Sequence, residues 1–78
     1  MLHRRHSKPW LCDVLYDTEA PGYLLDVLCG GVATFTVRLR LTAEEAAEFE
    51  RDPSSVEPLA FTVDKDHERF RDRIVTYL

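Results

Sequence analysis

From Tyr23 to Leu41 apolar and polar residues follow a two-residue period, broken once at Gly30-Gly31. In the second half Ala33, Phe35, Val37, Leu39 and Leu41 fall on one side, and Thr34, Thr36, Arg38 and Arg40 on the other. Successive side chains of a strand point to opposite faces, so the pattern predicts a strand with one face buried. The glycines mark a hairpin. A two-residue loop would set the apolar residues of one strand beside the polar residues of the other. A three-residue loop, Gly30 to Val32, pairs Cys29 with Ala33, Val27 with Phe35, Leu25 with Val37 and Tyr23 with Leu39, which keeps both buried sets together. The spacing favours that register, with glycine supplying the positive φ of a turn and bulge.

Upstream, Trp10, Cys12, Val14 and Tyr16 alternate with Leu11, Asp13, Leu15 and Asp17, which predicts a strand over Pro9 to Asp17. Pro21-Gly22 ends the break that follows. Matching buried sets pairs Tyr16 with Tyr23, Val14 with Leu25 and Cys12 with Val27. After Leu41 the period changes. Thr42-Ala43-Glu44-Glu45 has the spacing of a capping box, opening a helix from Ala43 to about Arg51 that Asp52-Pro53 ends. Residues 56–63 fit a helix, with Pro58 in its first turn, and fit a fourth edge strand almost as well. The last stretch, capped by Asp64 or Asp66, reads as a helix to about Thr76 with Phe70, Ile74 and Tyr77 or Leu78 on one stripe.

The expected fold class is therefore α+β: a three-stranded antiparallel meander, with a possible fourth edge strand, followed by two or three short helices packed on one face. Residues 1–8 are expected to be a flexible basic tail, and residues 9–78 a single domain. The core is expected to draw on Trp10, Val14, Leu25, Val27, Phe35, Val37, Leu39, Phe49, Leu59, Phe70 and Ile74. In the predicted register the second sheet face carries Leu11, Leu15, Leu24 and Leu28 among Asp13, Asp26, Arg38 and Arg40, which is too apolar for a simply solvated surface. The same register sets Asp13 beside Asp26, a like-charge pair that calls for a slip of two residues or a nearby cation such as Arg38 or Arg40.

Composition adds limits. With 78 residues there is room for one modest core, 45% hydrophobic and 31% charged residues are ordinary for a globular chain, and no segment is apolar enough to span a membrane. The opening Met-Leu-His-Arg-Arg-His lacks the apolar run of a secretory signal, so the expected location is the cytoplasm. Cys12 and Cys29 sit in strand contexts without metal-ligand spacing and are expected to be buried thiols. Charge is segregated: residues 44–68 hold nine acids against Arg51 and Lys65, while Arg4, Arg5 and Lys8 make the first eight residues basic, within a net charge of −4. An acidic surface of this kind speeds encounter with a basic partner and repels nucleic acid.

No nucleophile, glycine-rich loop or cofactor motif accompanies the two aspartates, so the reading is a small non-enzymatic protein-binding module without a cofactor or metal. It would self-associate or dock a protein partner through Leu11, Leu15, Leu24, Leu28, Arg38 and Arg40. Three alternatives stand beside it. One is an acidic, immunity-like neutraliser of a basic enzyme, by size and charge alone. Another is a small enzyme or metal site at Asp13, Asp26 and His67, since close carboxylates push their pKa values apart. The last is a nucleic-acid binder through Arg4, Arg5, Lys8, Arg38 and Arg40.

Overall fold

The alternating stretch forms the two central strands of a five-stranded sheet in the structure, a computed structural model that describes residues 1–30 and 34–77. The strands are β1 (Leu2–Lys8), β2 (Cys12–Asp17), β3 (Gly22–Cys29), β4 (Phe35–Arg40) and β5 (Ile74–Tyr77). They lie side by side in chain order, each antiparallel to its neighbours. Between β4 and β5 run α1 (Ala43–Arg51), a 3₁₀ turn over Pro53–Ser55, α2 (Val56–Lys65) and a 3₁₀ helix over His67–Arg73. The α+β class stands, and the meander is two strands longer than the sequence suggested.

The first hairpin has the expected register, Cys12 opposite Val27, Val14 opposite Leu25 and Tyr16 opposite Tyr23. The second differs by two residues: Cys29 faces Phe35, Val27 faces Val37 and Leu25 faces Leu39. A slip of two preserves which face each side chain occupies, so apolar pattern alone does not separate the two registers. Charge does. The observed register sets Asp26 directly opposite Arg38, whereas the expected one would have set it opposite Thr36. Gly30 has a φ of 96°, but the remaining turn residues and the Ala33 partner expected for Cys29 lie outside the described residues.

Residues 1–8, read from sequence as a tail, form the edge strand β1 along β2. An exposed edge strand needs little apolar content, because its stability comes from the backbone ladder; only His6 turns inward, its ring against Phe49. The helix expected to run to about Thr76 is a 3₁₀ helix that stops at Arg73, and Ile74–Tyr77 are a strand instead. Three β-branched residues in a row, Ile74-Val75-Thr76, lose side-chain freedom in a helix, and the outer side of β4 offers them backbone partners. The segment 56–63 is helical, so neither added strand is the one weighed there.

α1 begins as its sequence predicts: the Glu45 N–H donates to the Thr42 hydroxyl at 3.1 Å, and the Thr42 N–H donates to the Glu45 carboxylate at 2.9 Å. The helices meet one face of the sheet. Phe49 of α1 and Val56, Ala60 and Val63 of α2 pack with Cys12, Val14, Leu25, Val27, Cys29, Val37, Leu39 and Leu41 into one buried cluster. Phe35, Leu59, Phe70 and Ile74 close its margins. Trp10 does not join it. It stands 90% exposed in the β1–β2 turn, where the Leu11 N–H donates to the Lys8 carbonyl and Trp10 takes a φ of 66°. Pro9 before a residue of positive φ is the arrangement of a type II turn, and it swings the indole away from the core.

Two predictions follow from these contacts. Thr42→Ala is expected to cost about 1 kcal/mol in urea unfolding, because one side-chain acceptor and its reciprocal partner are lost. Burial, reinforced by Asp13 and Glu57, pushes the Cys12 thiol up to about 11, and burial with Asp64 does the same for Cys29, to about 11. Against an ordinary value of 9.0, both thiols of the folded chain should react with a thiol reagent at pH 8 roughly 100-fold more slowly than in urea.

Candidate functional site

Because the helices take one face, the other is left to the side chains that alternate with the core. Cross-strand pairing sorts them into rows. One row runs Ser7, Asp13, Asp26, Arg38, Thr76 from β1 to β5, and the next runs Arg4, Leu15, Leu24, Arg40 from β1 to β4. On the far side of the polar row, Leu28 lies opposite Thr36 and takes a backbone bond from its own N–H to the Leu11 carbonyl at 2.9 Å. The four leucines thus form two pairs, Leu15 with Leu24 and Leu11 with Leu28, divided by charged residues. They are also more sheltered than the sequence suggests: Leu24 is 3% exposed and the other three are half-buried.

The polar row is tightly bonded. Arg38 donates from Nε to Asp26 Oδ1 at 2.7 Å and from Nη2 to Asp26 Oδ2 at 2.8 Å, the bidentate fork that suits guanidinium to carboxylate. Its bond to the Asp26 carboxylate holds the Arg38 guanidinium above its ordinary pKa. Asp13, beside Asp26 on β2, accepts the Ser7 hydroxyl at 2.5 Å. Of the two remedies for the aspartate pair, the cation is the one adopted, and the first hairpin does not slip.

Arg40 does different work. Its Nη1 donates to the Ala20 carbonyl at 3.2 Å and its Nη2 lies 3.9 Å from Asp17, so the side chain crosses β3 toward the β2–β3 turn. Gly22 leaves room for the crossing: a Cβ there would stand 3.0 Å from Arg40 Nη1, and the guanidinium would have to shift by a few tenths of an ångström. The Glu19 and Ala20 N–H groups, with Arg40 behind them, hold the Asp17 carboxyl below its ordinary pKa. Leu24 is sheltered between Leu15 and this arginine arm.

At the β1–β2 end of the same face lies an open cavity of about 340 Å³. Leu11, Leu28 and Thr36 line it with Asp13 and Asp26, and Trp10 stands at its rim. Trp10 is the residue the sequence reading misplaced. Lys8-Pro9 immediately before it was the available signal, because proline at the second position of a tight turn puts the next residue outside the strand.

The residues of the other readings are distributed differently. His67 packs edge-on against Phe35 and Tyr77, on the helix side of the sheet, while Asp13 and Asp26 occupy the opposite side. Those three do not converge, and no cluster of three metal-ligating side chains occurs among the described residues. Arg4, Arg5 and Lys8 lie on β1, separated from Arg38 and Arg40 on β4 by the two strands between, with Leu15 and Leu24 in the Arg40 row and Asp13 and Asp26 in the Arg38 row. The five cations make no continuous stripe. No helix of the described residues is long and apolar enough to cross a membrane. Comparison with protein-family models, curated proteins and solved structures finds no match for this chain.

The polar row can be tested by substitution. Arg38→Met is expected to lower unfolding free energy by about 1.5–3 kcal/mol, because it strips charge-assisted bonds from a carboxylate that neighbours another. Adding Asp13→Asn should restore part of that loss in the same urea titration, and Asp13→Asn alone should change little.

Proposed function

We propose that this chain is a small non-enzymatic protein-binding module that works through the helix-free face of its sheet, self-associating or docking a protein partner. The observation that carries this reading is Trp10, a large apolar side chain left 90% exposed at the rim of a cavity on that face. Holding a non-glycine residue at positive φ costs roughly 1–2 kcal/mol, and strained exposed residues of this kind cluster at ligand contacts. Tryptophan is also the residue type most enriched among energetic anchors of interfaces.

The leucines support the reading more locally than as a single patch. Leu11 and Leu28 line the cavity together with Trp10, and Leu15 continues the face on the other side of the Asp26–Arg38 row. Leu24 belongs to the support of that face, and Arg38 and Arg40 supply its polar rim. Interfaces commonly set one buried anchor within a ring of polar contacts that excludes water.

Trp10→Gly removes the indole and relieves the backbone, so it is expected to leave the thermal midpoint unchanged or raised. Together with Leu28→Lys it should abolish association, read as the mass of the species in sedimentation equilibrium and as retention of protein from a native extract. An unmodified chain that stays monomeric at the highest attainable concentration and retains nothing overturns the proposal.

A further inference from the structure

The sheet ends in two strands with free edges, and the two are protected unequally. β5 is short and uncharged, reading Ile-Val-Thr-Tyr, with Val75 and Tyr77 exposed. β1 is seven residues long and carries Arg4, Arg5 and Lys8, all exposed. Among the described residues no carboxylate forms an ion pair with any of these three, although the chain as a whole has a net charge of −4. Its acids cluster instead in residues 44–68.

We propose that the outer edge of β1 receives an extended acidic peptide segment of a partner protein, which adds to the sheet as a sixth strand. An edge strand presents a row of unpaired N–H and C=O groups, and strand addition satisfies them with affinity from the backbone and specificity from side chains. The cations are placed for that. Arg4, opposite Leu15, belongs to the helix-free face, and Arg5, at the bulge between Arg4 and His6, lies with its guanidinium 6.0 Å from the Tyr16 ring. Acids on both sides of an incoming strand therefore meet a cation.

Basic residues also serve simply to repel other strands, and lysine is the usual choice for that guard. Two of the three here are arginines, whose planar fork pairs a carboxylate through two bonds where lysine offers a point charge. The bulge interrupts the ladder at Arg5, so an added strand would pair in two short stretches on either side of it. A nucleic-acid strand offers no alternating backbone donors and acceptors to such an edge. This edge adjoins the Trp10 face, whose cavity Lys8 also lines, while Leu28 lies two strands inward on β3.

The test is fluorescence anisotropy of the full chain with a labelled, acetylated peptide of repeated Glu-Glu-Thr. Saturable binding that weakens with salt is expected. Arg4→Glu with Arg5→Glu should weaken it at least tenfold, and so should N-methylation of alternate peptide nitrogens, which keeps the charge and removes the ladder. Leu28→Lys should leave it unchanged, which separates this edge from the docking face. Hydrogen exchange of the unmodified chain should show β1 amides protected by the peptide, independently of whether the arginine variant folds. Absence of binding at low salt, equal binding of the N-methylated peptide, unchanged binding by the arginine variant, no added protection of β1, or tighter binding of a single-stranded oligodeoxynucleotide overturns the proposal.

Discussion

The bidentate contact between Asp26 and Arg38 is the constraint on which the sheet depends. Two registers of the central hairpin bury the same apolar side chains, and only one places this cation opposite this acid. Hydrogen bonds to charged groups are worth about 1.5–3 kcal/mol each when well formed, enough to decide between arrangements that the hydrophobic effect treats as equal. The contact also answers a second problem. β2 and β3 must carry Asp13 and Asp26 side by side if Val14, Leu25 and Val27 are to share the core, and Arg38 neutralises one of them.

From that register the helix-free face takes its shape. Charged residues run across it in a row, so its leucines are split into two pairs, and the Arg40 arm, passing beside Gly22, closes over one end. What remains open lies at the other end, beside Trp10. The helix side is settled by simpler means: α1 packs through the Phe49 ring, and α2 through the small or branched Val56, Ala60 and Val63. The Arg73 side chain then ties the end of the 3₁₀ helix to the Arg40 carbonyl at 3.0 Å and to Glu45, joining β5 to α1.

Elements with a strong local signal were legible in the sequence. The alternation of β3 and β4, the Thr42–Glu45 box and the bounds of α1 each follow from spacing alone, and the first hairpin follows from matching its apolar sets. What was not legible depends on distant partners. β1 has almost no apolar content and exists because β2 has an edge to offer, and β5 exists because β4 does; a helix and a strand compete locally over 74–77 until that edge is supplied. The hairpin register required weighing a single ion pair against a pattern indifferent to it. At the candidate site, the leucines and arginines of the face were readable as a face, but their separation into rows was not. The exposure of Trp10 hinged on one turn that Pro9 creates.

The order of the sheet is also an order in time. From β2 to β4 each strand finds a neighbour already made as the chain emerges, so the ladder can grow by short hairpin closures. The outer side of β4 is the exception, because its partner lies beyond both helices, at Ile74–Tyr77. Until those residues are synthesised, a strand with Phe35, Val37 and Leu39 on its inner face borders an unpaired edge, which makes the interval before β5 docks the stage at which the nascent chain is most open to pairing with another.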